Sequence, residues 1–151
     1  MSEIETDVTR TALPSPSLQF ADLTAPRVLW VSGEVDPNQG LSDHFSSTGF
    51  EVLRARSTED ALAMLAVYGA EVALVDLPSG EGDAFDLLSA IRRAERWRDL
   101  AVIVLSPDDH NHVTIRALEA GADDCVTRTI HHVELEARVR ALLRRARRVS
   151  A

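Results

Sequence analysis

Short apolar runs and amphipathic helical stretches alternate along most of the chain, and this alternation limits the folds available to it. The predicted strands cover residues 28–31, 50–55, 72–76, 101–105 and 124–128. After each run, apolar residues recur at helical spacing, which predicts five β–α units joined by short loops. Parallel strands with right-handed helical crossovers satisfy this pattern, so the sequence predicts an α/β fold with a doubly wound parallel sheet.

Capping residues mark several of the predicted helix ends. Asp36 followed by Pro37 predicts the start of a first helix that continues to about Thr48. Residues 57–60, Ser-Thr-Glu-Asp, have the pattern of a capping box and predict the start of the second helix. The last helix is predicted for residues 132–148.

The composition is that of one ordinary domain. The chain has 151 residues, of which 45% are apolar and 26% charged, so it has enough apolar side chains for a core. A formal net charge of −8 argues against binding of nucleic acid or an anionic membrane by the domain body. Cys125 is the single cysteine, which excludes a disulfide framework, and no signal peptide or membrane-spanning run is present. We therefore expect a cytoplasmic protein.

Three segments differ in composition. Residues 1–26 are rich in Ser, Thr and acidic residues and contain a Pro-Ser-Pro-Ser run, which predicts a flexible N-terminal arm. Residues 27–148 carry the alternating pattern and form the predicted domain. Residues 149–151 are a short C-terminal tail.

Asp76 follows the apolar run of the third strand and precedes a loop that contains Pro78 and Gly80. The sequence therefore places one carboxylate where a buried parallel strand ends, and open α/β sheets bind their ligands at that edge. The simpler interpretation is that Asp76 only caps the strand end or solvates the loop.

Four segments, in order, resemble the receiver domain of bacterial two-component response regulators. They are Leu-Val-Asp-Leu at 74–77, Val-Ile-Val-Leu-Ser at 102–106, Ala-Leu-Glu-Ala-Gly-Ala-Asp-Asp at 117–124 and Ala-Arg-Val-Arg-Ala-Leu-Leu-Arg-Arg at 137–145. The resemblance covers residues 27–145 and implies a flavodoxin-like, five-stranded parallel sheet with strand order 2-1-3-4-5. It also implies that Asp76 is the phosphoacceptor, which a sensor histidine kinase phosphorylates.

The resemblance assigns further site positions. Ser106 corresponds to the hydroxyl that contacts the phosphoryl group, although a strand-end Ser also bonds its own loop. Arg128 stands where the family has lysine, and in a chain without lysine it either keeps that role or has lost it. Cys125 replaces the aromatic switch residue. Thr129 replaces a proline that follows a cis bond, and we expect a trans bond here because cis costs about 2.5–4 kcal/mol before other residues.

The family binds Mg²⁺ through two adjacent acids after the first strand, the acceptor aspartate and a nearby backbone carbonyl. Ser32 and Gly33 occupy the acid-pair positions here. The oxygen donors that remain are Asp76, the Pro78 carbonyl and, if the loop bends inward, Glu34 or Asp36. The prediction is no cofactor, or weakly bound Mg²⁺. A carboxylate held without metal among other acids is repelled, so Asp76→Asn is predicted to leave stability unchanged or slightly higher.

Charged residues near the fourth and fifth helices correspond to the face through which winged-helix response regulators form a two-fold dimer. The resemblance implies a weak homodimer in which acids of one copy meet arginines of the other. Alternatively, these charges pair within one chain or face water. The residues are Glu119, Asp123, Asp124, Arg138, Arg140 and Arg145. The five histidines are predicted to lie on the solvated surface.

These observations predict an atypical receiver domain, or pseudo-receiver, that acts in two-component phosphorelay signalling as a protein-interaction module and not as an enzyme. Its expected partner is a sensor histidine kinase or another signalling protein, with no membrane or direct nucleic-acid binding. One alternative is a working phosphoacceptor in which Glu34 or Asp36 holds Mg²⁺. A second is a small α/β nucleotide- or flavin-binding protein, although no GxGxxG or P-loop sequence follows any strand.

Overall fold

Five parallel strands form one sheet in the order β2–β1–β3–β4–β5. The computed structural model describes residues 25–33, 40–76, 82–107 and 111–150. The strands are β1 (Arg27–Val31), β2 (Glu51–Ala55), β3 (Val72–Asp76), β4 (Ala101–Ser106) and β5 (Asp124–Thr127). The helices are α1 (Leu41–Ser47), α2 (Thr58–Val67), α3 (Gly82–Arg93), α4 (Asn111–Ala120) and α5 (His132–Ser150), with a 3₁₀ turn at Glu95–Trp97. The predicted fold class and strand order are confirmed.

The helix starts agree with the sequence where the structure describes them. Ser57 caps α2, because its hydroxyl accepts a hydrogen bond of 3.1 Å from the backbone N–H of Asp60. The described part of the first helix begins at Leu41, after Gly40 with φ of 95°, and the predicted start at Asp36 lies outside the described residues. The last helix extends to Ser150, two residues beyond its predicted end.

The sheet is buried on both faces, which explains its apolar strands. Every residue of β3 and β4 is buried, as expected for parallel strands covered by helices. One core cluster packs α1 and α5 against the sheet through Phe45, Leu135 and Val139. The other packs α2, α3 and α4 against the opposite face, with Leu88 and Ala117 fully buried. This packing fixes the strand ends that carry the candidate site.

Arg92 ties the amino-terminal edges of β4 and β5 together. Its side chain donates hydrogen bonds to the carbonyls of Leu100 at 2.7 Å, Arg98 at 2.9 Å and Gly121 at 2.9 Å, and to Asp123 Oδ2 at 3.0 Å. Gly121 has φ of 117°, and a Cβ there would lie 2.7 Å from Arg92 Cγ. Glycine at this position therefore gives both the turn and the room for the arginine.

His44 is partly buried between α1 and α5, which corrects the prediction that all five histidines are solvated. Its Nε2 lies 2.8 Å from Glu136 Oε1, with side-chain exposures of 21% and 17%. Its ring also lies 5.7 Å from that of His132, centroid to centroid. His131 and His112 are exposed as predicted, and His110 lies outside the described residues.

The predicted N-terminal arm lies outside the described residues up to residue 24. Pro26 is described, and its carbonyl accepts a hydrogen bond of 2.9 Å from the backbone N–H of Glu51. Of the helices that the structure describes, none is long and apolar enough to cross a membrane.

Candidate functional site

Three strand ends and the residue after β5 bring the predicted site residues together. Asp76 ends β3, Ser106 ends β4, and Ser32 follows β1, all at the carboxyl edge of the sheet. These three are the buried polar residues of the described chain. Arg128 follows β5, the strand beside β4. The structure thus brings Asp76, Ser106 and Arg128 to one edge of the sheet, while the roles that the resemblance assigned to them, as phosphoacceptor and phosphoryl contacts, stay predictions.

Asp76 is held by an arginine. Arg128 Nη2 donates a hydrogen bond of 3.1 Å to Asp76 Oδ2, and Arg128 Nε lies 2.9 Å from Oδ1. The contact between Arg128 Nε and Asp76 Oδ1 is an ion pair without a hydrogen bond, because the N–H is not aligned with the oxygen. The Asp76 side chain is 1% exposed and that of Arg128 is 19% exposed. A carboxylate this deeply buried is stable only with such a partner.

The position of Arg128 follows from the end of β5. Its backbone N–H donates to the Ser106 carbonyl at 2.8 Å, which extends the β4–β5 pairing by one residue. From there the side chain crosses the end of β4 to reach β3. A guanidinium is long, planar and always charged, so it places two nitrogens against one carboxylate.

Ser32 is a neutral second partner of Asp76. Its hydroxyl donates to Asp76 Oδ2 at 3.3 Å, and its backbone N–H donates to the Ala55 carbonyl at 3.0 Å. It is 1% exposed. Gly33 beside it is exposed, and a Cβ there would have Arg56 O, at 3.7 Å, as its nearest neighbour. The two positions thus have no negative charge, and at position 33 no described atom lies closer than 3.7 Å to a Cβ.

The described residues do not fit a Mg²⁺ site. A cavity of about 220 Å³ adjoins Asp76, and Asp76 is the single acid among the described residues that line it. Arg56 adds a cation to the same lining. No group of three or more His, Cys, Asp or Glu among the described residues is arranged to hold a metal, whereas Mg²⁺ requires several hard oxygen ligands. The other predicted donors, Glu34, Asp36 and Pro78, lie outside the described residues.

The diverged switch positions lie beside this site. Cys125 is half-buried on β5, where burial, as the largest effect, raises the pKa of its thiol, and hydrogen bonding to Thr114 opposes that shift. A thiol with a raised pKa is a poor nucleophile at neutral pH. Thr129 is exposed, its Oγ1 lies 3.3 Å from Thr127 Oγ1, and no cis peptide bond occurs in the described chain. The predicted trans bond before Thr129 is confirmed.

The charges of the predicted dimer face are paired mainly within the chain. Arg138 Nη1 lies 3.0 Å from Asp124 Oδ2, and its Nη2 lies 3.0 Å from Glu134 Oε2. Arg140 donates to Glu136 at 2.7 Å, and Asp123 accepts from Arg92, as described above. This pairing agrees with the alternative in which these charges pair within one chain instead of between two copies. The members that remain exposed without a hydrogen bond or ion pair to another described residue are Glu119 and Arg145.

Comparison with known proteins identifies one family, in agreement with the fold and the position of the site. The sequence profile of the response regulator receiver domain matches residues 28–140. The chain is 30% identical over 123 residues to the phosphate regulon transcriptional regulatory protein PhoB of Escherichia coli, covering 80% of this chain and 53% of PhoB. It is 33% identical over 123 residues to the transcriptional regulatory protein PrrA of Mycobacterium tuberculosis, covering 82% of this chain and 52% of PrrA. The chain therefore spans about half the length of these curated relatives.

Solved structures agree with the sequence match. The receiver domain of the Francisella response regulator 1452 superposes with a TM-score of 0.70 at 27% identity, covering 80% of this chain and 98% of that one. A signal receiver domain of a histidine kinase from Syntrophus aciditrophicus gives a TM-score of 0.70 at 25% identity, covering 79% and 90% of the two chains.

Proposed function

Because the chain belongs to the response regulator receiver domain family, we propose that it is an atypical receiver of two-component signalling whose state is not set by phosphorylation of Asp76. The observation that carries this proposal is the buried ion pair between Asp76 and Arg128. The pair satisfies the charge of the acceptor carboxylate without a metal or a phosphoryl group.

The chemistry of phosphorylation supports the proposal. An acyl phosphate forms when a carboxylate oxygen attacks phosphorus, so that oxygen needs an exposed lone pair in line with the leaving group. In this structure Asp76 Oδ2 accepts from Arg128 and Ser32, and Oδ1 lies against Arg128 Nε. A cation already in contact with the carboxylate also repels Mg²⁺. We propose that Mg²⁺ binds weakly at this edge.

Under this proposal the domain acts through protein contacts and has no enzymatic activity of its own. Its partner is a sensor histidine kinase or another protein of the same signalling class. The family assignment favours a receiver over a nucleotide- or flavin-binding protein. A working phosphoacceptor is the second candidate, because Asp76 and Ser106 lie together at the edge where the family places them.

Treatment with acetyl phosphate and Mg²⁺, followed by intact-mass measurement, separates these candidates. We expect little or no phosphoryl addition to the wild-type chain, because Asp76 Oδ2 accepts hydrogen bonds from Arg128 and Ser32, Oδ1 lies against the Arg128 cation, and the acid pair that would hold Mg²⁺ is replaced by Ser32 and Gly33. A typical receiver treated in parallel serves as the positive control, and Asp76→Asn is the specificity control. Near-complete addition of one phosphoryl group that is lost in Asp76→Asn would establish the phosphoacceptor instead.

A weak homodimer through the α4–β5–α5 face is part of the proposal. Exposed apolar side chains support it: Ile115 is 54% exposed and Leu118 45% exposed on α4, and Val133 is 58% exposed on α5. Because Arg138 is paired within its own chain, we expect association to depend more on Leu118→Glu than on Arg138→Glu. Sedimentation velocity at two ionic strengths measures this. A strict monomer at high concentration, or a dimer insensitive to both substitutions, would contradict the proposed face.

A further inference from the structure

We draw no further inference here: the strongest candidate, the cavity of about 220 Å³ that Arg56, Ser57 and Thr58 line beside Asp76 at the carboxyl edge of the sheet, belongs to the site already described.

Discussion

Arg128→Met is expected to lower the free energy of unfolding by about 3 kcal/mol. The substitution removes the charge partner of a carboxylate that is 1% exposed, and breaking a buried pair from one side costs about 3–5 kcal/mol. We take the lower end because Arg128 is 19% exposed, so solvent screens part of the energy of the pair. Urea unfolding of the two proteins measures the difference.

A double-mutant cycle separates the pair from the loss of the arginine stem. Asp76→Asn is expected to cost about 1.5–3 kcal/mol, because it removes the charge from a hydrogen bond between charged groups. The double variant with Arg128→Met should lose less stability than the sum of the two single variants, with a coupling of about 2 kcal/mol. Arg93→Met, the same change at an exposed arginine of α3, is the control. If the free energy of unfolding of Arg128→Met lies within about 0.5 kcal/mol of that of wild type, as for surface substitutions, the ion pair does not stabilise the site.

Restoring the acids and the lysine of the family should convert this domain into a phosphoacceptor. We expect Ser32→Asp with Gly33→Asp and Arg128→Lys to be labelled by acetyl phosphate and Mg²⁺, whereas wild type is not. Two carboxylates then join Asp76 as hard oxygen ligands, and the shorter point charge of lysine releases its oxygens. Among the described residues, the nearest atom to a Cβ at position 33 is Arg56 O at 3.7 Å, which is ordinary van der Waals contact.

The controls for this variant are internal. Adding Asp76→Asn to the triple change should abolish labelling. Three clustered acids repel one another without metal, so Mg²⁺ should raise the melting temperature of the triple variant and not that of wild type. A folded, Mg²⁺-stabilised triple variant that is still not labelled would show that the pair and the missing acids are not what prevents phosphorylation.

The fold was predictable because the strand and helix signals are local. The run at residues 101–105 is apolar at every position and becomes a central strand, and Ser57 caps α2 as its sequence indicates. The edge strand β2 carries the charged residues Glu51 and Arg54 and is less apolar than the run at 101–105, yet it pairs with β1 in register. The family resemblance then supplied the strand order, which local patterns do not specify.

The site was predicted as a set of positions but not as a set of contacts. Asp76 and Arg128 are 52 residues apart in sequence, and only the adjacency of β3, β4 and β5 brings them together. The predicted neutral effect of Asp76→Asn assumed repulsion by nearby acids, and the arginine contact removes that premise. His44 and Glu136, 92 residues apart, were missed for the same reason. For the contact between Asp76 and Arg128, the one signal in the sequence was that Arg128 stands where the family has lysine.

The most direct test of the central claim, that Arg128 and not a metal balances the charge of Asp76, is an NMR titration of the wild-type protein with Mg²⁺ while the side-chain Nε–H of Arg128 is observed. We expect a resonance that does not move in a saturable way and that is altered by Asp76→Asn. A saturable Mg²⁺-dependent shift, absent in Asp76→Asn, would instead show that the metal displaces the arginine and balances the carboxylate.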